Sequence, residues 1–238
     1  MIDGLPDCAF VHTLRVRHDE MGADRLVRDA TLLGWLQDLA VAQSEPLGFG
    51  QDRYDALGAG WVLRELDLAI TAWPGHGERL ELATWAVAFR RVQARRAYLV
   101  ERDGERLVSG MSAWAFVTLA GRPTALPPGM VEAYGFAPGP ELAALDPAAG
   151  LPLAEMHRTV EWRDIDLMQH ANNAAYADWA EEARRRSGER RRPARLRLRY
   201  EAAALPAEDV TVTGTTTCQE ITGARGRYAT VETPSFLP

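Results

Sequence analysis

The sequence predicts an α+β fold of two tandem units, each an antiparallel β-sheet wrapped around one central α-helix. Three observations predict it. Residues 29–119 read as one helix followed by four alternating segments, a stretch rich in Pro, Gly and Ala comes next, and the same order of elements restarts beyond residue 155.

In the first half, residues 29–45 place Leu32, Leu33, Leu36, Leu39, Ala40 and Gln43 on one side at helical spacing, with Asp29 as the expected N-cap. Four segments near 60–72, 77–89, 92–101 and 106–119 alternate as long antiparallel strands. The middle pair flanks Arg90-Arg91, and Asp103-Gly104 joins the last pair, a dipeptide suited to a tight hairpin. One helix followed by a four-stranded meander is the hotdog order. Residues 120–155 then carry Pro127-Pro128-Gly129 and Ala137-Pro138-Gly139-Pro140, which is linker composition. The expected division is a first hotdog over 1–125, a linker over 126–155 and a second hotdog over 156–238.

The second half reads as strand-like Arg158 to Trp162, a helix near 173–187, and strands near 194–203, 208–218 and 225–232. Setting Trp35 over Trp179 also sets Val16 over Val160, so the halves form a weak internal repeat. Nothing after Thr233 corresponds to the strand at 106–119. The second sheet is therefore expected to lack its last strand, being either trimmed or completed at its edge by a partner chain.

Composition narrows the function. With 47% hydrophobic residues in 238, the chain can bury a substantial core. Its 27 basic and 33 acidic residues, net charge −6, argue against a nucleic-acid partner. Every basic residue is arginine, so neither a lysine Schiff base nor a Walker lysine is available. The two cysteines, Cys8 and Cys218, make no disulfide framework and match no zinc spacing, which points to a reducing cytoplasm. No run reaches the roughly 18 apolar residues of a membrane span, and the amino terminus lacks the charged and apolar regions of a signal peptide. His12, His18, His76 and His157 are dispersed, so no metal site is expected. Gly110-Met111-Ser112-Ala113-Trp114 has tryptophan where a nucleophile elbow needs its second glycine, and it lies within a strand pattern.

The densest polar cluster is Arg163-Asp164-Ile165-Asp166-Leu167-Met168-Gln169-His170-Ala171-Asn172-Asn173, directly before the second long helix. A carboxylate, an imidazole and two carboxamides meet there at a helix amino end. Its free N–H groups and positive dipole could polarise a thioester carbonyl and hold a tetrahedral oxyanion, while a carboxylate activates water or attacks directly. Singly, each residue also reads as a cap, a turn residue or a surface charge. Arg190, Arg191 and Arg192 continue a basic run from Arg184 into Arg195, Arg197 and Arg199. That run is either a solvated helix end or a docking patch for an acidic carrier or a phosphopantetheine phosphate.

Asp164-Ile165-Asp166 followed by His170, Asn172-Asn173, Tyr176, Trp179 and Glu182-Ala183-Arg184 resembles a hotdog thioesterase signature. Earlier segments, among them Met21-Gly22-Ala23-Asp24-Arg25, Leu36-Gln37-Asp38-Leu39-Ala40, Gly60-Trp61-Val62-Leu63 and Arg95-Arg96-Ala97-Tyr98, are similar in order and spacing to motifs of the plant and bacterial acyl-ACP thioesterases. The resemblance spans most of residues 14–202. It implies a double hotdog that hydrolyses fatty acyl-ACP to free fatty acid without metal or organic cofactor. It also implies catalytic groups in the second hotdog and much of the acyl pocket in the first.

Carried over residue by residue, Asp166 falls on the catalytic aspartate, His170 on the catalytic histidine and Glu201 on a glutamate at the start of the following strand. Met168 stands where plant members have a catalytic asparagine, and Ala202 where they have a cysteine, so a cysteine nucleophile is excluded. Asp166 is expected to be general base or nucleophile, with His170 and Glu201 orienting water or carboxylate. Asn172 and Asn173 are expected to position the oxyanion. Trp35, Leu36 and Leu39 are candidates for the acyl-pocket wall, with plain core packing as the competing reading. Acyl carrier protein or coenzyme A is the expected thiol carrier, and a monomer or homodimer the expected state. A non-catalytic acyl-thioester-binding protein and a hydratase or dehydratase on the same fold stand as alternatives.

Overall fold

The computed structural model describes residues 2–144 and 149–237. In the first half come strand β1 (Phe10–Arg15), helix α1 (Asp29–Ser44), helix α2 (Gln51–Leu57), and strands β2 (Ala59–Ile70), β3 (Arg79–Arg90), β4 (Gln93–Arg102) and β5 (Glu105–Thr118). A short helix α3 (Met130–Tyr134) follows. The second half has β6 (Met156–Thr159), α4 (Asn173–Arg186), β7 (Arg195–Tyr200), β8 (Asp209–Thr215), β9 (Cys218–Gly223) and β10 (Gly226–Glu232).

The strands form one ten-stranded sheet in the order β1-β3-β4-β5-β2-β7-β10-β9-β8-β6. The first five positions and the last five have the same topology, run outward from the β2–β7 joint. Each half wraps one long helix, α1 or α4, and the two helices pack on one another. This is the tandem hotdog. The joint follows from a period of two in Arg195-Leu196-Arg197-Leu198-Arg199. Leu196 and Leu198 turn inward and are fully buried beside Leu66 and Leu68, while Arg195 clasps Asp67 through two bonds (2.6 and 2.8 Å) and Arg197 holds Glu65 (2.6 Å) on the other face.

Three expectations are corrected. The second sheet is not a strand short: the strand expected at 208–218 ends as β8 at Thr215, and a strand not expected, β9, follows it across Thr216-Thr217. No Gly, Asn, Asp or Pro marks that turn; the Thr215 hydroxyl makes it by accepting from the Cys218 amide (3.1 Å). Asp29 does not cap α1. The N-cap is Arg28, in extended backbone, and Asp29 is the first helical residue, fully buried. The stretch expected as linker is partly structural, because Met130 and Tyr134 of α3 are buried beside Phe49 and Ala86 and the Tyr134 hydroxyl donates to Ser44 Oγ (2.6 Å). Residues 145–148 of that stretch lie outside the described residues.

Candidate active site

The two halves repeat one local structure at a constant offset. Each has a turn of 3₁₀ helix, His18–Glu20 or Trp162–Asp164, then a tight loop closed by a bridge, Met21 to Val27 or Ile165 to Ala171, and then the long helix. Gly22 N donates to Leu26 O (2.8 Å) as Asp166 N donates to His170 O (3.0 Å). Arg25, with φ 65°, stands where Gln169, with φ 60°, stands in the second loop. The backbone is the same and the chemistry is not. Where the second loop has Asp166 and His170, the first has Gly22 and Leu26.

Around α4 the loop brings Asp166 and His170 together. His170 Nδ1 lies 3.6 Å from Asp166 Oδ1, with their side chains 22% and 19% exposed. That is beyond hydrogen-bond length, a separation that substrate binding commonly shortens. Asp166 Oδ1 also accepts from the Met168 amide (2.9 Å), and His170 Nδ1 lies 3.2 Å from Ala171 O. The Met168 side chain reaches β2, 4.0 Å from where a Cβ on Gly60 would stand, so the loop rests against the first half.

The helix amino end is only partly capped. Asn172 is the N-cap and its side chain accepts from Ala174 N (2.9 Å). The Asn172 carboxamide oxygen is therefore spent on the helix, which is a capping role. Asn173 is the first helical residue: its carbonyl accepts from the Tyr200 hydroxyl (2.9 Å), while its amide has no protein acceptor among the described residues. Asn173 lines a narrow cleft of about 10 Å³, room for about one water, walled by Leu33 and Leu36 of α1, Leu63 and Leu66 of β2, and Tyr98 and Trp114 of β4 and β5. Gln37 of α1 is the other carboxamide in that cleft.

At the same place on α1 the amino end is closed. The Asp29 amide donates to Glu181 Oε2 (2.9 Å). The Asp29 carboxylate is held by Arg184 and by Arg192 (3.4 Å), and Arg192 also reaches Glu181 (2.9 Å) and Asp24 (2.6 Å). Burial and the Glu181 carboxylate push Asp29 up to about 6 against the pull of the two guanidiniums.

Several predicted residues fall elsewhere. The Glu201 carboxylate, 41% exposed, pairs with Arg227 (2.5 Å), and among the described residues no hydrogen bond links it to Asp166 or His170. Trp35 donates to Glu20 Oε1 (3.0 Å) and Leu39 is core; of the three pocket candidates only Leu36 lines the cleft. Arg192 is 5% exposed within the ion cluster and stacks over Trp73, so it is unavailable for docking. Arg191 pairs with Glu189, holding that carboxyl down to about 2, and stacks on Phe236. Arg190 is exposed and donates to Arg185 O (3.0 Å). Gln37 was not singled out, although the repeat that sets Trp35 over Trp179 also sets it over Glu181. No group of three or more His, Cys, Asp or Glu among the described residues could hold a metal ion. No helix among them is long and apolar enough to cross a membrane.

Residues 7–134 match the acyl-ACP thioesterase N-terminal domain and residues 153–230 the C-terminal domain of the same enzymes. The chain belongs to the acyl-ACP thioesterase family. It is 26% identical over 196 residues to the chloroplastic palmitoyl-acyl carrier protein thioesterase of Gossypium hirsutum and 27% identical over 196 to that of Arabidopsis thaliana, in each case across 74% of this chain. The matches cover 46% and 47% of those proteins, so the chain spans about half the length of the curated relatives it matches. In fold it is similar to a putative oleoyl thioesterase from Lactobacillus plantarum (TM-score 0.82, 20% identity, 94% of each chain). A 12:0-ACP thioesterase from Umbellularia californica is similar as well (TM-score 0.80, 21% identity, 99% of each chain).

Proposed function

We propose that this protein hydrolyses a fatty acyl thioester, with acyl carrier protein as the thiol carrier, to a free fatty acid in the cytoplasm, as part of fatty acid biosynthesis. The observation that carries the reading is the amino end of α4. Asn173, whose amide is unengaged among the described residues, lines an apolar cleft and follows the loop that holds Asp166 beside His170. Relatives named as hydrolases of acyl carrier protein thioesters support the substrate class.

In this reading the side chains between α1 and the first sheet move apart to admit the acyl tail, and the thioester carbonyl points its oxygen at the Asn173 N–H. Asp166 takes a proton from water, and the water oxygen attacks the carbonyl carbon. The negative charge that develops on the carbonyl oxygen is held by the amide and the helix dipole. Collapse breaks the C–S bond, and the proton passes to the departing thiolate, leaving acid and thiol. His170, within one side-chain movement of Asp166, positions that carboxylate and carries the proton.

The test crosses acyl chain length with carrier, acyl carrier protein against coenzyme A, and follows free thiol. Asp166→Asn should lower kcat by about 10²- to 10⁴-fold with the melting temperature retained. Full activity in that variant refutes the assignment. Tight acyl-thioester binding without thiol release, in the wild type, identifies a binding protein instead, and addition of water across a double bond identifies a hydratase.

A further inference from the structure

We propose that Gln37, on helix α1 of the first half, is the second donor of the oxyanion hole whose first donor is the Asn173 amide. The inference rests on the thioesterase reading above and deepens it, because it makes the single site depend on both halves.

Two independent observations carry it. First, Gln37 and Asn173 line the same cleft. The Gln37 side chain is half-buried there and makes no hydrogen bond to another described residue. Its carboxamide is not among the fully buried unpartnered groups, so solvent reaches it, and it is free to donate to an oxygen that enters the cleft. Second, the internal repeat shows what this position does when it is occupied differently. Glu181 is the counterpart of Gln37, and Glu181 Oε2 accepts from the Asp29 amide, the counterpart of Asn173 N, at 2.9 Å. The side chain at this position thus reaches the first amide of the opposite helix.

The identity of the residue then decides the chemistry. A glutamate would take the Asn173 amide for itself and set a negative charge where the oxyanion must form. Glutamine has the same length, no charge and two N–H donors, so it leaves the amide open and adds a second donor directed at the same oxygen.

Gln37→Glu is the decisive variant, with Gln37→Ala beside it to guard against a folding defect. Turnover of acyl pantetheine thioesters and thermal melts are measured on the full chain. Gln37→Glu should lower kcat by about 100-fold or more and Gln37→Ala by about tenfold. In both, KM should stay within about threefold, since the contact strengthens only as charge develops on the oxygen. Melting temperatures should fall by no more than about 2 °C, as for substitutions that touch no packed core. Wild-type turnover with both variants equally active refutes the role of Gln37 alone. Loss of activity that appears wholly in KM also refutes it, because that is a binding wall and not an oxyanion donor. A wild-type chain that splits no thioester refutes the hydrolase reading and this inference with it.

Discussion

Replacing Arg184 with methionine tests the closed amino end of α1. Arg184 is 3% exposed; it donates to the Asp29 carboxylate and to Gln219 Oε1 (3.1 Å). Methionine fills most of the same volume and removes the charge. Asp29 is then left with Arg192 alone, at 3.4 Å, while Glu181 remains beside it. Removing one member of a buried ion cluster costs about 3–5 kcal/mol, because the stranded charge keeps its desolvation penalty. In a chain of this length each kcal/mol is worth about 2–4 °C, so the melting temperature should fall by about 6–20 °C.

The pH dependence has a fixed sign. Asp29 sits at about 6 in the folded protein, above its unfolded value of about 3.9. An acid raised in this way contributes stability that is present below the unfolded value and is lost as pH rises through the folded one. Losing Arg184 raises Asp29 further. The deficit of the variant against the parent should therefore be largest above about pH 7 and shrink toward about pH 5, where Asp29 holds its proton. Urea melts of parent, Arg184→Met, Asp29→Asn and the double variant, taken across that range, read it directly. The double variant should recover at least about half the loss, since no charge is then stranded. An unchanged melting temperature near pH 7, or a deficit that grows on acidification, refutes the argument.

Other perturbations separate site from surface. Glu201→Ala should change kcat by less than about threefold and leave the thermal melt unchanged, as expected for an exposed ion pair with Arg227; a hundredfold loss would return Glu201 to the reaction. Charge reversal at Arg190 and at Arg192 should part company. Arg192→Glu sets a further carboxylate among Asp24, Asp29 and Glu181 and should destabilise the fold by more than about 3 kcal/mol in denaturant melts. Arg190→Glu should leave the melt unchanged. A KM rise in Arg190→Glu for carrier-bound substrate, with none for the pantetheine thioester, marks carrier docking there, and equal KM values end that idea.

What the sequence makes legible is what depends on near neighbours. The long strands β2 to β5 declare themselves through alternation and through Asp103-Gly104, whose positive φ angles of 50° and 82° make the hairpin turn. Strand β1 does not: an edge strand with most positions exposed has no buried face to alternate against. Strand β9 hides because Thr215-Thr216-Thr217 is β-branched throughout and turns through hydroxyl bonding instead of glycine. Asp166, His170 and Asn173 are legible because they lie within eight residues on one loop and helix start. The fates of Arg192 and Glu201 are not, since each is decided by partners brought in by the fold, Asp24 and Asp29 for one and Arg227 for the other. A run of arginines looks the same in sequence whether it faces solvent or a buried acid.

The repeated architecture poses a physical question: why one half carries an open site and the other a closed one. Both long helices begin at the same point of the same loop, and each offers an incoming anion a partial positive charge of roughly half an electron. Around α1 that offer is already taken, for Asp29 supplies a carboxylate at its first turn, Glu181 accepts the first amide, and Arg184 and Arg192 neutralise the pair. Around α4 the corresponding residues are neutral, Asn173 for Asp29 and Gln37 for Glu181, so the first amide and the dipole stay available. The charged set binds the two helices together, and in the proposed hydrolysis the neutral set leaves room for a charge that exists only as the thioester is attacked. Converting Gln37 to glutamate moves the second end one step toward the first, which is why that variant should lose turnover while keeping its fold.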